Sequence, residues 1–168
     1  MWSGFRGGTA AHSLCGGHDH ANDGRSGLGT DIRFDGPTGR AEVDALADWK
    51  DYTLVFELKY VATIQNARNR INDGLAQVDR GVRALLDGKL LDVNRRVRGA
   101  VIVVLDDSVD SDNVSHLQEL AYQKAQSFAL PHRVMVIKYS DFLSLAPEQL
   151  LKYFASRIPD FHTVPSSS

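Results

Sequence analysis

A change of hydrophobic period near residue 62 constrains this chain more than any other feature. Before it, the pattern is two. Thr30-Asp31-Ile32-Arg33-Phe34-Asp35 alternates as a strand should, and Gly36-Pro37-Thr38-Gly39 reads as a turn. Two further strands follow at roughly 40–47 and 52–61, joined by a hairpin loop near Lys50 and Asp51. After it, Ile64, Ala67, Ile71, Leu75, Val78, Val82 and Leu85 recur at steps of three and four, which predicts an amphipathic helix of about six turns. Gly74 and Gly81 weaken that helix by about 1 kcal/mol each relative to Ala. Ala100-Val101-Ile102-Val103-Val104-Leu105 then reads as a strand covered on both faces. Asp112 suits the cap of a second helix carrying Val114, Leu117, Ala121, Ala125 and Phe128, which Pro131 stops. Val134-Met135-Val136-Ile137 forms a last strand, and Pro147 opens a terminal helix with Leu150, Leu151, Phe154 and Ile158 on its buried side. The order β-β-β-α-β-α-β-α predicts an α/β fold whose mixed sheet starts antiparallel and continues by parallel crossovers.

At 168 residues the chain fits one domain, expected over 30–160, with a flexible Gly-rich leader at 1–29 and a frayed tail at 161–168. A formal net charge of −2 gives no global basic field. Locally, eight Arg and Lys stand against four acids between Gln65 and Arg98, whereas Asp106 to Glu119 carries only acidic charge. A single cysteine, Cys15, excludes an internal disulfide framework. Cys15-x-x-His18-x-His20 lacks the second ligand pair that a structural zinc site needs. Neither a signal-type apolar leader nor a run long enough to span a bilayer is visible, so a cytoplasmic protein is the expectation. Asp106-Asp107-x-x-Asp110-x-Asp112 reads as a loop with a helix cap, because it lacks the Gly and terminal Glu of an EF-hand. Nucleophile-elbow and Walker-type elements are missing, so acyl transfer and nucleotide hydrolysis have no support.

The chemistry concentrates in the second and third strands. Leu54, Phe56, Leu58 and Tyr60 share one strand face, while Thr53, Val55, Glu57 and Lys59 share the other. A hairpin centred between Lys50 and Asp51 sets Asp44 opposite Glu57, and Glu42 opposite Lys59. Directly opposed like charges about 4.5–5.5 Å apart destabilise a sheet. Facing carboxylates beside a lysine therefore suggest a divalent cation; a cross-strand salt-bridge cluster on an exposed face is the alternative reading.

Glu42-x-Asp44, the hairpin, the apolar-Glu57-x-Lys59 strand and the following helix together resemble the PD-(D/E)XK nuclease superfamily, over roughly residues 30–140. The Gly-Arg lead-in to Asp44 and Leu75-Ala76-Gln77 add to the resemblance. It implies a restriction-endonuclease-like core and a hydrolase that cuts DNA with Mg²⁺, or Mn²⁺. Asp44 and Glu57 would ligate the metal with the main-chain carbonyl of Leu58, Lys59 would assist water attack, and Gln77 would position water or substrate. Arg70, Arg80 and Arg83 would contact DNA, and a homodimer or larger nuclease assembly is the expected setting. The chain departs from the pattern at Val43, where many members have Pro, and at Gly81, where one branch has Tyr. The acidic helix residue that many relatives place before the first strand is also missing, which leaves Glu42 as the candidate extra carboxylate. The alternatives are an inactive nuclease-fold module binding nucleic acid or a protein partner, and an RNA-directed effector nuclease.

Overall fold

The computed structural model describes residues 28–36, 39–49, 51–88, 96–130 and 132–155. The expected leader and tail, with Cys15, His18 and His20, lie outside the described residues. The elements are β1 (Leu28–Gly36), β2 (Gly39–Trp49), β3 (Tyr52–Val61), α1 (Ile64–Asp87), β4 (Arg96–Leu105), α2 (Ser111–Gln126), β5 (His132–Lys138), α3 (Tyr139–Ser144) and α4 (Pro147–Ala155). The five strands form one sheet in chain order. β1–β2 and β2–β3 pair antiparallel, whereas β3–β4 and β4–β5 pair parallel.

Both parallel connections pass through a helix, and successive right-handed crossovers in one direction bring α1 and α2 to the same face. Ala67, Ile71, Leu75 and Val78 of α1 pack there with Leu117, Ala121 and Ala125 of α2 on Val101, Val103, Val134 and Val136. Each fully buried aliphatic side chain of this kind contributes about 1.5–3 kcal/mol over its exposed state. α4 returns to the opposite face, where Leu151 and Phe154 cover Leu54, Phe56, Ala100, Ile102, Met135 and Ile137. β4 is thus buried from both sides through residues 100–105, as its unbroken apolar run predicts.

Gly74 and Gly81 let α1 approach the sheet closely. A Cβ on Gly81 would stand 2.5 Å from Val43 Cγ1, and one on Gly74 would stand 2.7 Å from Val101 Cγ1. Two details differ from the sequence reading. Asp110, not Asp112, is the N-cap of α2, and it accepts from the Asp112 backbone N–H at 3.4 Å. The reason is that the chain is already helical at Ser111, which places Asp112 in the first turn. α3, a short helix directly after β5, has no periodic signal in six residues. Among the described residues no helix is long and apolar enough to cross a membrane.

Candidate metal and phosphate site

The site begins where the β2–β3 ladder stops. Trp49–Tyr52 through Ala45–Phe56 pair in the register set by a hairpin centred between Lys50 and Asp51. The next step would pair Asp44 with Glu57, but the ladder ends before it. Instead the Leu58 backbone N–H donates to Asp44 Oδ2 at 2.7 Å, so this carboxylate stands in for a strand carbonyl in the gap. Beyond this point β2 stays with β1, and Glu42 pairs with Arg33 rather than facing Lys59.

Strand parity changes at the same place. Ala45 and Ala47 pack on the α4 face, and Leu46 packs on the α1 face. Regular alternation would put Asp44 beside Leu46 under α1. Val43 and Ala41 are there instead. The opposing strand is irregular too: Asp31 has a left-handed backbone, φ 51°. Its flanking pairs are Thr30–Ala45 and Ile32–Val43, so Asp31 sits across from Asp44 at a step without a ladder pair.

Glu57 lies on the α1 side of β3 and is only 3% exposed. Lys59 Nζ donates to its Oε1 at 2.5 Å. Its Oε2 is buried and accepts from no group among the described residues. Burial raises the Glu57 carboxyl above the ordinary range; the nearby Asp44 carboxylate pushes it further up, and the Lys59 hydrogen bond opposes both. An unsatisfied buried carboxylate oxygen is costly, which makes this atom a candidate cation ligand.

Gln77 is half-buried on α1. It lies between Gly74, which stands over Lys59, and Gly81, which stands over Val43 and Val55. Helical spacing therefore puts Gln77 at the level of Glu57. Arg70 and Arg80 are exposed and share that flank by spacing. Arg83 does not. It pairs with Asp79 at 2.7 Å, and Asp79 reaches the buried His132 of β5 at 2.9 Å, on the flank away from β2. Burial disfavours the Asp79 carboxylate, but the hydrogen bonds from Arg83 and His132 outweigh it and hold its pKa below the usual value. Glu42 is also apart from Glu57: it is exposed and pairs with Arg33 at 3.4 Å.

The acidic loop after β4 is held by hydrogen bonds within itself and to β3 and α3, and its Asp110 caps α2. Asp106 accepts from the Ser108 backbone and hydroxyl and from the Tyr60 hydroxyl, which hold it at about 2. Asp107 accepts from Ser140. The residue that sequence reasoning missed is Asp31. Its signal was the three-residue step from Val43 to Leu46, which no regular strand can bury on one face.

Among the described residues no group of three or more His, Cys, Asp or Glu side chains is gathered to hold a metal ion on protein ligands alone. Asp44 and Glu57 offer two carboxylates, which suits a hard cation that keeps several waters. Compared with protein-family models, with curated proteins and with solved structures, the chain matches none. What stands established is an α/β protein with a five-stranded mixed sheet flanked by helices.

Proposed function

We propose that this chain is a metal-dependent nuclease of restriction-endonuclease-like architecture that hydrolyses DNA phosphodiester bonds. The observation that carries the reading is Glu57: nearly fully buried, with one oxygen bound by Lys59 and the other unmatched, beside the Asp44 carboxylate. Asp44 and Glu57, with the Leu58 carbonyl between Glu57 and Lys59 in the chain, would hold Mg²⁺ or Mn²⁺. When bound, such an ion lowers the pKa of its water and neutralises charge on the phosphate.

The chain's own residues do the rest. Lys59, which donates to Glu57 Oε1, would assist water attack and meet the negative charge that develops on the phosphate oxygens. Gln77, which helical spacing puts at the level of Glu57, would position water or substrate. In the reaction the water oxygen forms a new bond to phosphorus and the ester P–O bond breaks. The water's proton passes to solvent, and the departing oxygen takes one up. Arg70 and Arg80 lie on the flank where substrate phosphates would approach.

The test is incubation of purified protein with plasmid, linear DNA and RNA, each with Mg²⁺ or Mn²⁺. Metal-dependent DNA cleavage lost in Asp44→Ala and Lys59→Ala is the expected result. A folded protein that cuts no nucleic acid with either metal would overturn it, and cutting of RNA alone would redirect it to the effector reading. A second reading, a non-catalytic module docking on a protein, has one supporting observation. Leu58, Tyr60, Tyr139 and Leu143 are exposed, with Asp106 hydrogen-bonded to Tyr60 and Asp107 to Ser140. That chemistry suits an apolar, basic protein surface better than a phosphate backbone.

A further inference from the structure

We infer that Asp31 is a positioning residue: its left-handed backbone kinks β1 and β2 together and so presents Asp44 at the strand split. The functional weight of this inference rests on the nuclease reading, but its geometry does not. Three observations meet at one step of the sheet. Asp31 has φ 51°, a conformation that β-branched residues avoid and that Asp, Asn and Gly tolerate. Asp44 stands across from it, between the Thr30–Ala45 and Ile32–Val43 pairs. The burial pattern of β2 reverses across that residue, from Leu46 under α1 to Val43 under α1.

Regular strands would have a different outcome. With unbroken alternation Asp44 would point at α1, where Val43 now fills the space beneath Gly81. A carboxylate there would be buried among Val55, Val82 and Leu85. The kink exchanges the two neighbours. Val43 goes into the core, and Asp44 goes into the gap, where its Oδ2 takes the Leu58 N–H. Strained non-glycine backbone persists where surrounding structure over-determines it; here it accompanies a carboxylate that leaves the α1 face to Val43 and takes the Leu58 N–H in the gap. Asp31 acts here through its backbone, with no contact to substrate required.

The experiment follows the Leu58 amide by ¹⁵N–¹H NMR hydrogen exchange and takes its protection as the Leu58 response, because an amide that donates to Asp44 is held from solvent. It is run on the native chain and on Asp31→Gly, Asp31→Asn and Asp31→Val, with Mn²⁺ affinity measured on each. Gly and Asn are expected to keep the Leu58 response and native Mn²⁺ binding. Val is expected to lose the response and weaken Mn²⁺ about tenfold or more, in the range typical for groups that orient metal ligands. If Asp31→Val does not fold, Asp31→Ala decides the question in the same way. A native Leu58 response in Val or Ala overturns the inference. So does loss of the response in Gly, or loss of Mn²⁺ affinity in Asn with the response intact, which would make the carboxylate the active part. If the native chain shows the Leu58 response and the expected variant pattern but cuts no nucleic acid, the nuclease reading fails and the positioning role stands.

Discussion

Glu57 carries a charge the fold does not fully support, and that gives it a measurable pH signature. Its carboxyl is raised from the ordinary 4.5, chiefly by burial. A raised folded-state pKa means the native chain binds the proton more tightly than the unfolded chain. Its contribution to stability is therefore full below the ordinary value and is lost as pH rises through the raised one. Glu57→Gln removes that dependence. Urea denaturation at pH 4 and pH 8 should show the stability difference moving in favour of Glu57→Gln at the higher pH. A difference that stays constant would mean Lys59 already compensates the charge. The same variant should lose metal-induced stabilisation. Mn²⁺ at about 100 times its dissociation constant would add roughly 2.7 kcal/mol to the native chain and nothing to Glu57→Gln. Asp106 offers the opposite sign. Held at about 2 by Ser108 and Tyr60, it supports the fold above the ordinary carboxylate range of 3.8, and that support goes as pH falls through about 2. Tyr60→Phe removes one donor, so the Asp106 carboxyl carbon should titrate at a higher pH by ¹³C NMR.

Helix α1 shows how far elements were legible. Its apolar stripe from Ile64 to Leu85 locates it within a residue or two, because burial on one face imposes the period directly. The order and direction of the strands were legible for a similar reason: alternation, a hairpin and two helical crossovers leave few ways to connect them. The glycines could be read only half-way. Propensity counts them as weak points in a helix, whereas the structure uses both for close packing. This predicts that Gly81→Ala destabilises despite the better helix former. The added methyl would meet Val43 Cγ1 at 2.5 Å, and overpacking costs about 1–3 kcal/mol against about 1 kcal/mol regained in propensity. Chemical denaturation reads the sum; a variant more stable than the native chain would show that α1 can back away. At the candidate site, Glu57, Lys59 and Asp44 were legible from spacing, and their register was right up to Ala45. The break at Asp44 was legible only through the three-residue step from Val43 to Leu46, because its form depends on a backbone angle in the neighbouring strand. Glu42 was expected opposite Lys59, as an extra carboxylate, and Arg83 beside Arg70 and Arg80 as a DNA contact; the fold pairs Glu42 with Arg33 and Arg83 with Asp79.

The two faces of the sheet are closed by different means, and that governs how the molecule comes apart. α1 and α2 lie within the crossovers and cannot leave without undoing the parallel strands. α4 is an appendix to the chain, and it covers the other face with Leu151 and Phe154. Two arginines from the sheet hold its end: Arg98 donates to the Phe154 carbonyl and Arg133 to the Tyr153 carbonyl, each at 2.8 Å. These carbonyls belong to the last turn of α4, where cations also complement the helix dipole. The guanidiniums further stack on Tyr52 and Tyr153, at 4.7 and 5.0 Å from the ring centres. A hydrogen bond to a charged group contributes about 1.5–3 kcal/mol. Arg98→Ala should therefore lower the cost of lifting α4 by that amount, a roughly tenfold to hundredfold rise in amide exchange, since 1.4 kcal/mol is a factor of about ten. Hydrogen exchange on the native chain and the variant reads this segment by segment. Acceleration should be confined to α4 and the strand residues beneath it, with α1 and α2 unchanged. If exchange rose equally in α1, α4 would be part of the global unfolding unit. The Asp44–Glu57 site would then depend on a helix packed on the far side of the sheet.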